Sequence, residues 1–347
     1  MFDLAISVVI PTYNRSNLVL RAVNSALQQC TLGDEVIVID DGSSDNTPII
    51  LEPLLGMIRY FRVPNAGVSA ARNFGIKQAI NPLIAFLDDD DEWLSNKILL
   101  QRQLMELRSD VLFSFTNFEN QFSDGQRESH GIFNWGQIEQ SWEKIIGPGV
   151  PYSTIAELPD GISDFNAYIG NIYLSQLADD YVLPSTLLVR KSAGDELYFP
   201  EDLSFCESWA CSSRLAHAGA VAYLDFDASR QHGHAGPRLT DVPMEVQARS
   251  RIKVLERQWG SDADFLSNEK KRYEQRLDRE RLLLIKELIT KGQNRTARME
   301  LHKMNASAPL HYRFLASMPD FASLFTLNIM RSAFKISRYL KRHIFVA

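Results

Sequence analysis

Along the first 120 residues the apolar positions fall into two alternating patterns. The short runs ISVVI (6–10), EVIVID (35–40), IRYFRV (58–63) and LIAFL (83–87) are rich in β-branched residues and lack the polar alternation of a half-exposed strand. Between them, NLVLRAVNSALQQ (17–29), NTPIILEPLLG (46–56) and SAARNFGIKQAI (69–80) space their apolar residues at helical intervals. Strands buried on both faces and separated by amphipathic helices predict a parallel sheet with helices on each side. The expected class is α/β, a doubly wound, mostly parallel sheet. Ligands in such sheets bind outside the carboxyl ends of the strands, so the residues just after each run carry the functional information.

Beyond residue 120 the pattern loosens. Residues 121–180 are richer in Gly, Ser, Asn and aromatics, with GPGVPYS and LPDGISD as turn clusters, and read as loops and short elements. VLPSTLLVRK (182–191) reads as a strand, WACSSRLAHAG (209–219) as a helix closed by Gly219, and AVAYLDF (220–226) as a further strand. From about 241 the chain turns helical and charged, notably EKKRYEQRLDRERLLLIKELITKG, with Gly292 as its stop. Three regions follow: 1–120, 121–240 and a helical extension, 241–347.

Composition narrows the function classes. The 347 residues are 45% hydrophobic, enough for a real core. A net charge of -6 argues against nucleic acid as a partner, because binding a phosphate backbone wants a basic face. Three cysteines, Cys30, Cys206 and Cys211, match no zinc or disulfide spacing and fit a reducing cytoplasm. The opening MFDLAISVVIPTYN lacks a basic n-region and runs straight into a core strand, and no run approaches the length of a spanning helix. A soluble cytoplasmic protein without a signal peptide is expected.

Four segments carry candidate chemistry, each with a plainer reading beside it. PTYNR (11–15) follows the first strand and could set backbone N–H groups near a phosphate, or be an ordinary turn with Asn14 or Ser16 as helix cap. VIVIDDGSSDNT (36–47) puts Asp40 and Asp41 where a base or ribose would lie, or supplies turn and cap chemistry. In VPNAGVSAARNFGI (63–76), Arg72 offers a fork for phosphate or carboxylate, or is a surface arginine. LIAFLDDDDEW (83–93) ends a buried strand in five acids. On extended backbone Asp88 and Asp90 would share one side, able to converge on a hard divalent cation, with Asp91 better placed to cap the next helix.

SVVIPTYNR, VIVIDDGSSDNT, NAGVSAARNFGI and FLDDDDEW together resemble, in order and approximate spacing, the family 2 glycosyltransferases with their GT-A nucleotide-sugar-binding fold. More loosely, the resemblance extends to about 240 through VLPSTLLVRKS and RQHGHAG. It implies that Pro11, Thr12 and Tyr13 border a nucleotide pocket, that Asp41 reads the base with Asp40 beside it, and that Arg72 lies near the diphosphate. Asp88, Asp89 and Asp90 would form the D-x-D region, Asp90 and Asp88 holding Mn2+ or Mg2+, with His232 able to approach the metal. Region 1–120 would then bind the nucleoside diphosphate sugar and 121–240 a glycan or lipid-linked acceptor. The activity implied is inverting transfer, UDP-sugars favoured, in polysaccharide, lipopolysaccharide or glycan assembly.

One position departs from the pattern. The family's base comes from a Glu-Asp pair opening a helix, and FCESWACSSRLAHAG has Glu207 followed by Ser208. Serine is no general base unless another base activates it. Glu207 is therefore the expected base, with Glu201, Asp202 or Asp180 as substitutes, and a non-catalytic nucleotide-sugar-binding or scaffolding protein as the alternative. A nucleotidyltransferase would want a Gly-rich, Lys-containing first loop, which PTYNR is not. Finally, 321–347 carries five Lys or Arg and no acid, with apolar residues at helical spacing. It could lie on the inner face of an anionic membrane or pack on the domain.

Overall fold

The computed structural model describes residues 4–132, 141–233, 236, 241–306 and 308–320. The chain divides into two compact units, one comprising Met1–Leu203 with Glu207–Pro237, the other Ser204–Cys206 with Arg238–Ala347.

The first unit opens with β1 (Ile6–Thr12), α1 (Val19–Leu27), β2 (Glu35–Asp40), α2 (Thr47–Leu51), β3 (Arg59–Arg62), α3 (Val68–Gln78) and β4 (Leu83–Phe86). It continues through β5 (Asp91–Trp93), α4 (Lys97–Leu107), β6 (Val111–Gln121), β7 (Arg127–Glu128), α5 (Trp142–Ile145), β8 (Gly149–Pro151), β9 (Asn166–Gly170) and α6 (Tyr173–Gln176). β10 (Leu188–Arg190), α7 (Glu207–Ala218) and β11 (Ala220–His232) complete it. The sheet order is β3-β2-β1-β4-β10-β6-β11-β9-β8, with β5 against β11 and β7 against β6. β1, β2, β3 and β4 run parallel, as does β6 with β11, while β10 runs antiparallel between β4 and β6.

Apolar runs without alternation become buried strands because both faces are covered. Ile6, Val8 and Ile10 of β1 join one core cluster, and Val9 joins the other, across the sheet. β4 divides in the same way, Leu83 and Ala85 to one side, Ile84 and Phe86 to the other. α3 lies so close to β1 that a Cβ on Gly75 would stand 2.3 Å from Val9 Cγ1.

Four readings change. VLPSTLLVRK is a strand only over Leu188–Arg190; Pro184–Thr186 forms a 3-10 turn, since Pro184 has no N–H to give a ladder. VLFSFTNFENQ, β6, is a long strand absent from the sequence reading because it mixes polar residues into a buried run. Asp91 does not cap α4: it begins β5, and Asn96, in the left-handed region, stands at the cap without a side-chain bond. Nor does Asn14 or Ser16 cap α1, where Leu18 holds that position.

The second unit contains α8 (Met244–Gln258), α9 (Ala263–Thr290), α10 (Asn294–His302) and α11 (Leu310–Ser317). Asp262 caps α9 by accepting from the Phe265 N–H at 2.9 Å. Its buried stripe runs through Leu277, Leu284, Leu288 and Ile289, and Gly292, at φ 71°, ends it as expected. The 321–347 segment lies outside the described residues.

Candidate active site

From β1 the chain turns to β2 and β3 on one side and to β4 on the other, which makes the β1/β4 edge a topological switch point. In doubly wound sheets this is where two strand ends diverge and leave a crevice. The loops after β1, β2 and β4 meet there.

The first two loops are sewn together. Asn14, at φ 52°, turns its Oδ1 to accept from the Ser44 N–H at 2.7 Å, and its own N–H donates to Ser43 Oγ at 2.9 Å. Asp45 accepts from the N–H groups of Ser16 and Thr47. Gly42 allows the tight turn: its φ is 81°, and a Cβ there would stand 3.0 Å from the Asn65 nitrogen. Asp40 is fully buried, with Oδ1 accepting from the Ser43 N–H and Oδ2 from the Tyr60 hydroxyl, so it braces the loop from beneath. Asp41, also buried, accepts from the Ala66 and Gly67 N–H groups, both at 2.8 Å, and thereby fixes the start of α3. Pro11 and Thr12 are buried at the end of β1, and Tyr13 is 47% exposed at its tip.

The acid run does not continue the strand. The Asp91 N–H donates to the Asp88 carbonyl at 3.1 Å, which closes a turn over Asp89 and Asp90, so strand alternation does not sort these side chains. Arg15 reaches across from the β1 loop to pair with Asp89 at 3.1 Å and with Asp90. The Asp90 carbonyl accepts from Arg21 at 2.6 Å. Ser185, in the 3-10 turn before β10, accepts from the Asp88 N–H at 3.1 Å and donates to buried Asp91.

Arg72 was expected near a diphosphate. It is buried on α3, donating to Asp88 at 2.7 Å and to Glu207 at 3.0 Å, with its guanidinium 5.0 Å from the Phe199 ring centre. It therefore ties the acid run to the first residue of α7. Beside it, Asn73 bonds the Phe199 carbonyl and Glu201. Ser208, the position where an acid was expected, donates to Asp180 Oδ2 at 3.3 Å.

Two guanidinium groups, Arg15 and Arg72, are thus shared among Asp88, Asp89, Asp90 and Glu207. Burial raises Asp88, pushes Asp89 up to about 7, and holds Asp91 well above the usual carboxylate range, the neighbouring aspartates adding to the effect. Burial likewise pushes Asp180 up to about 7. His232 comes to the end of the acid run through the β5–β11 pairing, where its Nε2 lies 3.0 Å from Glu92. Burial and the nearby Arg21 lower its pKa, with Glu92 opposing them. Among the described residues, no group of three or more His, Cys, Asp and Glu gathers as a metal set.

Sequence reasoning missed Arg15, Arg21 and Ser185. Arg15 was within sight: a lone arginine after β1 in a chain whose β4 ends in acids. Ser185 was hidden inside a segment taken for strand.

Residues 7–168 match the model of the family described as glycosyl transferase family 2. Over those residues, somewhat under half of its length, the chain is similar to the family 2 glycosyltransferases. An uncharacterized glycosyltransferase of Rickettsia felis is 42% identical over 123 residues, 34% of this chain and 20% of that protein. The Escherichia coli UDP-Glc:alpha-D-GlcNAc-diphosphoundecaprenol beta-1,3-glucosyltransferase WfgD is 36% identical over 121 residues, 34% of this chain and 47% of its own length. The chain therefore matches half or less of these relatives. Staphylococcus aureus TarS 1–349, solved in complex with UDP-GlcNAc, has a TM-score of 0.53 at 17% identity, covering 86% of this chain and 88% of that one. That is a likeness of fold, and the fold is GT-A.

Proposed function

We propose that the chain transfers a glycosyl group, with inversion, from a UDP-sugar to a hydroxyl of a glycan or lipid-linked acceptor, in polysaccharide, lipopolysaccharide or glycan assembly. One observation carries this reading: at the switch point of the sheet, the β1 and β2 loops and the acid run after β4 are drawn together by Asn14 and Arg15. The relatives support the substrate class. WfgD is named for a UDP-glucose donor and a diphosphoundecaprenol acceptor, and TarS was solved with UDP-GlcNAc.

In this reading Tyr13 offers an exposed ring to the base, and Asp41 Oδ1 keeps a lone pair for the N3–H of uracil. Asp40 supports both from below. The acid run fits a hard divalent cation: its donors are all carboxylate oxygen, acid outnumbers its paired arginines, and three of its carboxyls sit above their usual range. Magnesium or manganese needs only one or two carboxylates beside substrate phosphates, which Asp90 and Asp88 can supply. When bound, such an ion supplies Lewis-acid stabilisation of charge on the leaving diphosphate. Arg72 keeps Asp88 oriented, and His232 keeps Glu92 in place behind the run.

Titration calorimetry with UDP, GDP and dTDP, with and without Mn2+, tests this. UDP is expected to bind, and more tightly with the ion; absence of metal-dependent binding to all three would overturn it. Ser208 favours a second reading, a nucleotide-sugar-binding protein without chemistry, for which UDP binds while no UDP-sugar is ever consumed.

No helix among the described residues is long and apolar enough to cross a membrane. Cytoplasmic placement with peripheral contact at the inner membrane face, through 321–347, belongs to the same proposal. Anionic vesicles should retain the full chain and release a chain ending at Asp320; equal retention of both would remove the membrane role.

A further inference from the structure

Glu207, expected as the base, faces Arg72 inside the protein and shares that guanidinium with Asp88. Its geometry suits bracing the acid run rather than meeting an acceptor. Ser208 follows with no acid of its own, yet a carboxylate is present beside it: Asp180 Oδ2 lies 3.3 Å from Ser208 Oγ. Asp180 is half-buried, and its Oδ1 accepts from the Val182 N–H at 3.2 Å, which fixes the carboxyl on its own backbone.

The placement is built by packing. The Trp209 indole donates to the Gln176 carbonyl at 2.9 Å and Gln176 Nε2 to Ser212 Oγ at 3.1 Å, so α6 is tied to α7 and the chain leaving α6 passes the start of α7. A few residues later the same segment delivers Ser185 to Asp88 and Asp91. One short stretch therefore carries a carboxylate at the α7 end of the site and a hydroxyl at the acid-run end.

We propose that Asp180 is the general base of the transfer, supplying through space the acid that position 208 lacks; this rests on the glycosyltransferase reading above. Ser208 is a positioning residue whose hydroxyl orients Asp180. Asp180 takes the proton of the acceptor hydroxyl, and the acceptor oxygen forms its bond to the anomeric carbon. The bond from that carbon to the β-phosphate oxygen breaks, and its electron pair leaves with the nucleoside diphosphate. The proton stays on Asp180 until product departs. Burial, with Asp179 and Glu207 adding and the Val182 N–H and Ser208 opposing, pushes Asp180 up to about 7, where a base works best at neutral pH.

UDP release from UDP-glucose and UDP-GlcNAc, with water as acceptor, is to be followed from pH 5 to 9, alongside calorimetric UDP binding. Asp180→Asn should lower kcat on the order of 10²–10⁴-fold, leave UDP binding and donor KM unchanged, and erase the rise in rate near pH 7. Adding Ser208→Asp to Asp180→Asn should recover at least about tenfold of the loss, since a side chain there reaches the same place. The proposal falls if Asp180→Asn keeps the wild-type rate and pH limb, if Glu207→Gln alone erases that limb, or if UDP binding is lost and Ser208→Asp restores nothing. If wild type binds UDP yet releases it from neither sugar, the transferase reading itself fails, and this inference with it.

Discussion

Arg72 shows how far a single side chain can reorganise what its sequence neighbourhood suggests. In SAARNFGI it looks like a helical arginine free to meet phosphate, but the packed α3 turns it inward to two carboxylates and an aromatic ring. Removing one member of a buried ion network leaves the others uncompensated, so Arg72→Met should lower unfolding free energy by about 3–5 kcal/mol in urea titrations. Lysine should not rescue it, because one ammonium cannot fork to both acids. Ser185→Ala leaves the buried Asp91 carboxyl and the Asp88 N–H without their hydroxyl partner and should cost about 1–3 kcal/mol by the same measurement. The acids themselves were legible, because five in a row after a buried strand has few explanations. Their division of labour was not, because it depends on a turn at Asp89–Asp90 that alternation along a strand cannot foresee.

Among the elements, periodicity was a good guide wherever both faces or one stripe are buried: β1 to β4, α1 to α3, α7 and α9 all lie where their patterns placed them. It was a poor guide at β6 and 182–191, where polar residues inside the core and Pro184 blur the signal. Loops obey their own chemistry. Gly42→Ala forces a side chain into the left-handed region against Asn65, and about 1–2 kcal/mol of destabilisation is expected. The strain falls on the loop held by Asp40 and Asp41, so the same variant should weaken UDP binding in calorimetry while an Asp262→Ala cap deletion on α9, costing about 1 kcal/mol, should leave UDP binding as it was. Equal effects of the two on binding would show that general stability, not the loop, governs affinity.

For the whole molecule, the crowding of carboxyls at one end of the sheet sets a pH dependence. Asp89 and Asp180, both near 7 when folded, lie above the value of about 4 they have when unfolded. Between those values the folded form binds more protons than the unfolded, so these groups make stability fall as pH rises from about 4 to 7. Asp45, lowered to about 2 by its bonds from Thr47 and Ser16, works the other way: its stabilisation is present above about 4 and is lost as pH falls towards 2. Urea midpoints of the metal-free protein should therefore be higher at pH 5 than at pH 8, and Asp180→Asn should narrow that gap; an unchanged gap would exclude Asp180 from it. Which stretches become strands and helices, and that acids gather where β4 ends, follow from local chemistry, because burial periodicity, turn residues and charge act over a few neighbours. Which acid meets which cation was settled only by folding: Arg15 meets Asp89 across 74 positions and Arg72 meets Glu207 across 135. Asp180 stands beside Ser208 across 28. Contacts of that span are made by the packing of whole elements, and no local pattern of residues contains them.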